Sequence, residues 1–202
     1  MLISIHPDNP QVRQLSMVKD CLEKGGIIAY PTDTIYGLGC DIFHPEAIAK
    51  ICAIKKVDPE KAQLSFICAD LSDLSTYAKA IDNGLFRIMK SLLPGPYTFI
   101  LPASKQVPKI LQSKKKTIGL RIPNNNIALS IIKTLGHPIL SASFPGNDVE
   151  EYTDPEVIYE NWGNQIDMVI DGGIGGMVPS TVVDCTTDEY SLIRQGAGVW
   201  DY

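Results

Sequence analysis

Several things are missing from this 202-residue sequence, and each absence removes a class of protein. No apolar stretch approaches the ~18 residues a bilayer-spanning helix needs, which argues against an integral helical membrane protein. The start, MLISIHPDNPQ, is polar and carries Pro7 and Pro10, so it reads as neither a signal nor a transit peptide. The five cysteines (Cys21, Cys40, Cys52, Cys68 and Cys185) are scattered, odd in number, and make no C-x-x-C pair. That pattern fits neither a disulfide scaffold nor a thiolate zinc site, and the expected compartment is the reducing cytoplasm. Only three histidines occur, and His6, His44 and His137 have no metal-ligand spacing. There is no G-x-S-x-G elbow and no P-loop. A basic excess is missing as well: 18 Lys and Arg against 23 Asp and Glu leave a net charge of −5. Broad nucleic-acid contact is therefore disfavoured, and a polyanion would need a local basic patch.

What is present is ordinary globular composition, 45% hydrophobic and 20% charged, at a length that suits one domain. No repeat, low-complexity tract or linker divides the chain, so residues 1–202 are expected to form a single domain. Residues 11–24 place Leu15, Val18 and Leu22 at helical spacing and stop at Gly25-Gly26. Residues 47–55, 85–93 and 127–135 also read as helices. Short apolar runs at 27–30, 65–68, 97–101, 117–122, 138–143, 167–171, 180–185 and 190–194 read as strands. Alternation of the two predicts a layered α/β domain with a mixed sheet.

Chemistry-bearing residues gather where those strands end. Tyr30-Pro31-Thr32-Asp33-Thr34-Ile35-Tyr36-Gly37-Leu38-Gly39 turns at Pro31 and then offers three hydroxyls before two glycines, either as a ligand-facing strand end or as a turn capped by its own threonines. Lys55-Lys56, with Lys61 nearby, reads as a phosphate-binding pair or as cations favoured at a helix C-terminus. Arg121 stands in an apolar alternation; burial there demands an anion, from the protein or from a ligand. Ser141 and Ser143, Ser180, and Arg194 follow the same pattern at three further strand ends. The glycine run 172–176 precedes a strand and no helix, so it is not a dinucleotide-binding loop. Lys114-Lys115-Lys116 reads as a solvated loop, with nucleic-acid contact the minority alternative.

In order, GGIIAYPTDTIYGLGCD, LPGPYTFIL, IGLRIP, ILSAS, PSTVVD and LIRQGAG resemble the YrdC-like family, whose members include threonylcarbamoyl-AMP synthases. IHPDNPQ and ADLSDLSTYA look like its YciO branch in particular. The resemblance implies a twisted open mixed α/β sheet around a large basic cavity. It also implies a reaction: L-threonine, bicarbonate and ATP give threonylcarbamoyl-AMP and pyrophosphate, for modification of a tRNA adenosine. Mg²⁺ would accompany the ATP, with no tightly held protein metal site. Carried over, Thr32, Thr34 and Tyr36 would bind threonine, and Lys55, Arg121 and Ser143 would be catalytic. Lys55, Arg121, Ser141, Ser143, Ser180 and Arg194 would contact ATP or AMP.

Two positions depart from the synthase pattern K-x-R…S-x-N. Val57 stands for the arginine and Pro145 for the asparagine, so two hydrogen-bond donors are lost. The sequence thus leaves three functions open: a weak synthase-like nucleotidyltransferase, a nucleotide binder without turnover, or a protein of tRNA or double-stranded RNA. For the last, Lys55, Lys56, Lys61, Lys114 to Lys116 and Arg121 would supply the patch.

Overall fold

Apolar runs without polar alternation need cover on both faces, and this protein supplies it over about half of its sheet. The computed structural model describes residues 1–58, 64–108, 111, 116–145 and 150–202. Ten strands among them form one mixed sheet: β1 (Leu2–Ser4), β2 (Ile28–Tyr30), β3 (Gly37–Asp41), β4 (Ser65–Ile67), β5 (Tyr97–Pro102), β6 (Thr117–Arg121), β7 (Ile139–Ser143), β8 (Met168–Asp171), β9 (Thr181–Asp184) and β10 (Ser191–Arg194). Their order is β1-β8-β2-β3-β7-β4-β6-β5-β9-β10, with β1/β8, β2/β8, β4/β6 and β5/β9 parallel. The other neighbours are antiparallel. The predicted α/β class holds.

Six α-helices among the described residues pack on the sheet: α1 (Val12–Glu23), α2 (Pro45–Ile54), α3 (Leu71–Tyr77), α4 (Asn83–Leu92), α5 (Asn126–Leu135) and α6 (Pro155–Trp162). α1 buries Leu15, Val18 and Leu22 as its spacing predicts, and Gly25 closes it at φ +76°. α5 is capped by Asn125, whose carbonyl oxygen accepts from Ala128 N–H at 3.0 Å. No helix among the described residues is long and apolar enough to cross a membrane.

Side chains on a strand alternate between faces, and here the alternation separates two cores. Leu38, Phe66, Phe99, Leu120, Leu140 and Val183 point to one face and join Ile48 and Ile51 of α2, Leu74 of α3, Met89 of α4 and Ile158 of α6. Ile28, Tyr30, Ile67 and Ile139 point to the other and meet Leu15, Val18 and Leu22 of α1 with Ile127, Ile131 and Ile132 of α5. The second layer is short of helices. Beyond it, β7, β4, β6, β5 and β9 present Ser141, Ser143, Ser65, Gly119, Arg121, Thr98, Ile100, Val182 and Asp184 to a cavity.

Four elements escape the sequence reading. β1 is three residues long, and α3 spans only seven. α6 begins with Asp154 capping the Glu156 N–H at 2.9 Å and Pro155 in the first turn, start signals that were legible. β3 reads as a turn because Gly37 and Gly39 disfavour strands. Its glycines are needed there: the Tyr30 ring from β2 lies across them, 3.2 and 3.0 Å from where a Cβ would stand.

Candidate functional site

The cavity encloses about 1020 Å³ on the open half of the sheet. β2 ends at Tyr30, and Pro31 turns the chain into Thr32-Asp33-Thr34. The Thr32 hydroxyl donates to the Ile35 carbonyl at 2.7 Å and accepts from the Thr34 N–H at 3.0 Å. That closes a tight turn which delivers Asp33 to the end of β6. There Arg121 is 7% exposed, and its Nη2 donates to the Thr34 hydroxyl at 2.8 Å, to Thr32 at 3.4 Å and to the Asp33 carboxylate. The anion that a buried arginine demands is therefore Asp33. Sequence reading passed over it between its two threonines, although an acid beside a proposed arginine site was the available signal. One edge of the pair is incomplete: Arg121 Nε and Asp33 Oδ2 are buried without partners. Among the described residues Nη1 of Arg121 also carries no hydrogen bond. Arg121 thus faces the cavity with its orientation set from behind and donor capacity left over.

Lys55 caps the C-terminal end of α2 and reaches into the same space. Its ammonium donates to the Ser143 carbonyl at 2.7 Å and to the Ser143 hydroxyl at 3.2 Å. Burial pushes its pKa below the usual lysine range, with Cys52 opposing. On the far side, Arg194 donates to the Ser180 carbonyl from Nε at 3.1 Å and from Nη2 at 2.8 Å. Burial, and then the charge of Arg121, lower its pKa too. Ser180 in turn bonds the Thr98 hydroxyl at 2.9 Å. Three cations so directed favour a bound anion, because an anion relieves both their mutual repulsion and their desolvation.

Not every candidate residue presents its polar group. Ser141 accepts the Tyr30 hydroxyl at 2.6 Å; burial pushes that phenol up to about 12, so it stays the donor. Thr34 is 2% exposed and lies behind Arg121, off the cavity wall. Tyr36 lines the wall, but its hydroxyl donates to the Gly173 carbonyl at 2.7 Å and accepts the Gly172 N–H at 3.1 Å. It pins the glycine run against the threonine turn. Gly176 donates there to the Thr34 carbonyl at 2.7 Å, and a Cβ would lie 2.5 Å from that oxygen, so only glycine closes the contact.

The two departures fall in different places. Val57 lines the cavity. Pro145 does not; it borders a separate groove with Lys50, Lys56 and Trp162, and its carbonyl receives the Tyr152 hydroxyl. Of the other basic candidates, Lys56 and Lys116 are off the cavity wall, and Lys61, Lys114 and Lys115 lie outside the described residues. Asp184 and Thr186, absent from the sequence reading, line the cavity with the apolar side chains Ile100 and Val182 of the same face.

Comparison with known proteins agrees with this geometry. Residues 20–196 match the Sua5/YciO/YrdC family, whose description reads telomere recombination. YciO of Escherichia coli K12 is 46% identical over 197 residues, 96% of this chain and 94% of its own. The E. coli YciO crystal structure superposes with a TM-score of 0.92 over 98% of this chain and 97% of that one. A threonylcarbamoyl-AMP synthase of Coxiella burnetii is 31% identical over 170 residues, 84% of this chain and 91% of its own. Sua5 of P. abyssi, solved in complex with L-threonine, matches with a TM-score of 0.86 at 28% identity, over 97% of this chain and 57% of that longer one. Motif order, sheet and cavity all lead to one assignment: the chain belongs to the Sua5/YciO/YrdC family.

Proposed function

We propose that this protein binds MgATP and L-threonine in the open-face cavity and joins them with bicarbonate into threonylcarbamoyl-AMP, releasing pyrophosphate. The observation that carries the reading is the convergence of Lys55, Arg121 and Arg194 on one hydroxyl-lined cavity. Threonine nitrogen and bicarbonate would form a carbamate and water. A carbamate oxygen then attacks the α-phosphorus in line as the bond to pyrophosphate breaks. The free Nη1 of Arg121 suits the amino acid carboxylate, with the Thr32 hydroxyl beside it. Lys55 and Arg194 suit the phosphates, whose charge grows on the departing pyrophosphate. The synthase of C. burnetii and the threonine complex of Sua5 support this direction.

Magnesium fits as part of the ATP complex and not as a resident ion. Asp33, the carboxylate at the cation end, has one oxygen on Arg121 and the other buried. Bound to ATP, Mg²⁺ would neutralise charge on the leaving pyrophosphate.

Val57 on the cavity wall favours a second reading, nucleotide binding without turnover. Loss of one transition-state donor costs ~10²–10³ in rate. One experiment separates the two. Purified protein is given ATP and bicarbonate with and without threonine, pyrophosphate is followed, and the adenylate is sought by mass. Threonine-dependent release is expected. Background release alone, beside calorimetric ATP binding, overturns synthesis and selects the binder.

A further inference from the structure

Asp184 is out of character with its surroundings. Among the described residues it is the only carboxylate on the wall of a cavity that otherwise gathers Lys55, Arg121 and Arg194. A carboxylate repels phosphates, so in a phosphate-binding cavity it belongs where the ligand turns from acceptor to donor. We propose that Asp184 is a specificity-determining residue that accepts hydrogen bonds from the 2′,3′-diol of a ribonucleotide; this rests on the nucleotide reading of the cavity.

Three observations carry the assignment. Asp184 is fixed: Oδ1 accepts from the Thr186 N–H at 2.9 Å and from the Thr186 hydroxyl at 2.7 Å. That closes an Asx turn at the end of β9 and sets the side-chain rotamer. Oδ2 has no partner among the described residues, so acceptor capacity is left over. The register supplies the distance. Arg194 lies opposite Val182, and Asp184 is two residues further along the same strand and on the same face. The Arg194 guanidinium bonds the Ser180 carbonyl, four residues before Asp184, a span of roughly 13 Å that an arginine–phosphate contact, the 5′-phosphate-to-diol stretch of a nucleotide and a hydroxyl–carboxylate contact together fill. On the next strand, Ile100 lies opposite Asp184 on the cavity face and offers an apolar contact for a base. Phosphate on Arg194, ribose on Asp184 and base against Ile100 form one continuous track. An acidic side chain accepting from a ribose diol is a general solution for ribose recognition, since an acceptor-only group matches two hydroxyl donors.

The test uses AMP and 2′,3′-dideoxy-AMP, measured by calorimetry in EDTA so that no divalent cation bridges ligand and carboxylate. The native protein is expected to prefer AMP roughly tenfold, as for a bond to a charged acceptor. Asp184→Asn keeps the Thr186 turn and replaces Oδ2 by a donor; it should weaken AMP severalfold and leave dideoxy-AMP unchanged, shrinking the preference. Equal affinity of native protein for the two nucleotides overturns the proposal whatever the mutant does. So does a mutant that weakens both equally, which would place Asp184 elsewhere along the ligand. Failure of both nucleotides to bind removes the nucleotide reading together with this one. Ribose discrimination without threonine-dependent pyrophosphate release would keep the assignment and discard the synthase.

Discussion

The same strands build two unlike surfaces one residue apart. On one face Phe66, Phe99, Leu120 and Leu140 are wholly buried beneath four helices. On the other, their neighbours Ser65, Thr98, Arg121 and Ser141 look into a cavity that α1 and α5 do not reach. The covered face supplies stability, and the bare face gathers hydroxyls and cations. A strand can hold both because successive side chains never compete for one environment. The division is not absolute, since Arg121 is buried on the bare face and needs Asp33 to be tolerated there.

Substitutions on the two faces should therefore separate stability from binding, and the largest effect belongs to the covered face. Phe66→Ala should cost ~3–5 kcal/mol of unfolding free energy by denaturant titration, because the two-sided packing cannot collapse around the void. Arg121→Ala tests the boundary case. It leaves Asp33 buried without its cation, a loss of about 3 kcal/mol for a pair this enclosed, and it should also abolish nucleotide or threonine binding. Wild-type melting with wild-type affinity would put Arg121 outside the site.

Lys55→Ala should show the opposite balance. Lys55 ends a helix, so its loss should cost at most ~1 kcal/mol, while nucleotide-dependent activity disappears. Lys55 also gives the bare face a pH signature. Its folded pKa lies below 10.5, so the unfolded state binds more protons between the two values, and stability gains as pH rises through that window. Anion affinity moves the other way, falling as pH climbs through the folded pKa and the ammonium is lost. A Lys55→Met variant whose nucleotide affinity declines identically would exclude Lys55 as the titrating group.

The smallest effect concerns the departures. Val57→Arg with Pro145→Asn should raise threonine-dependent pyrophosphate release above the natural protein. The pair should exceed either single change if both act on one transition state. Because Val57 lines the cavity and Pro145 does not, most of the gain should come from the arginine. A double variant that folds and binds ATP yet gains nothing would mean that these positions do not limit turnover.

Much of this was legible beforehand where local pattern and burial agree. The apolar runs became strands, and residues 11–24 became α1, because period and cap residues coincide with the packed face. β3 was hidden because its glycines carry no strand preference of their own; the Tyr30 ring that makes them useful arrives from another strand. Asp33 was hidden for a similar reason. Its worth depends on Arg121, 88 residues away.

By itself the sequence determined the class of fold, the family, and the residue types that gather at strand ends. It did so because hydrophobic period, turn chemistry and motif order are local properties. Only the tertiary structure decided which hydroxyls remain available. Tyr36 is tied to the glycine run, Thr34 is held behind Arg121, and Ser141 accepts from Tyr30. It also decided that Val57 lines the cavity while Pro145 does not, and that Asp184 shares a wall with three cations. These are facts of register and layer, set when distant strands pair and helices cover one half of a sheet and leave the other bare.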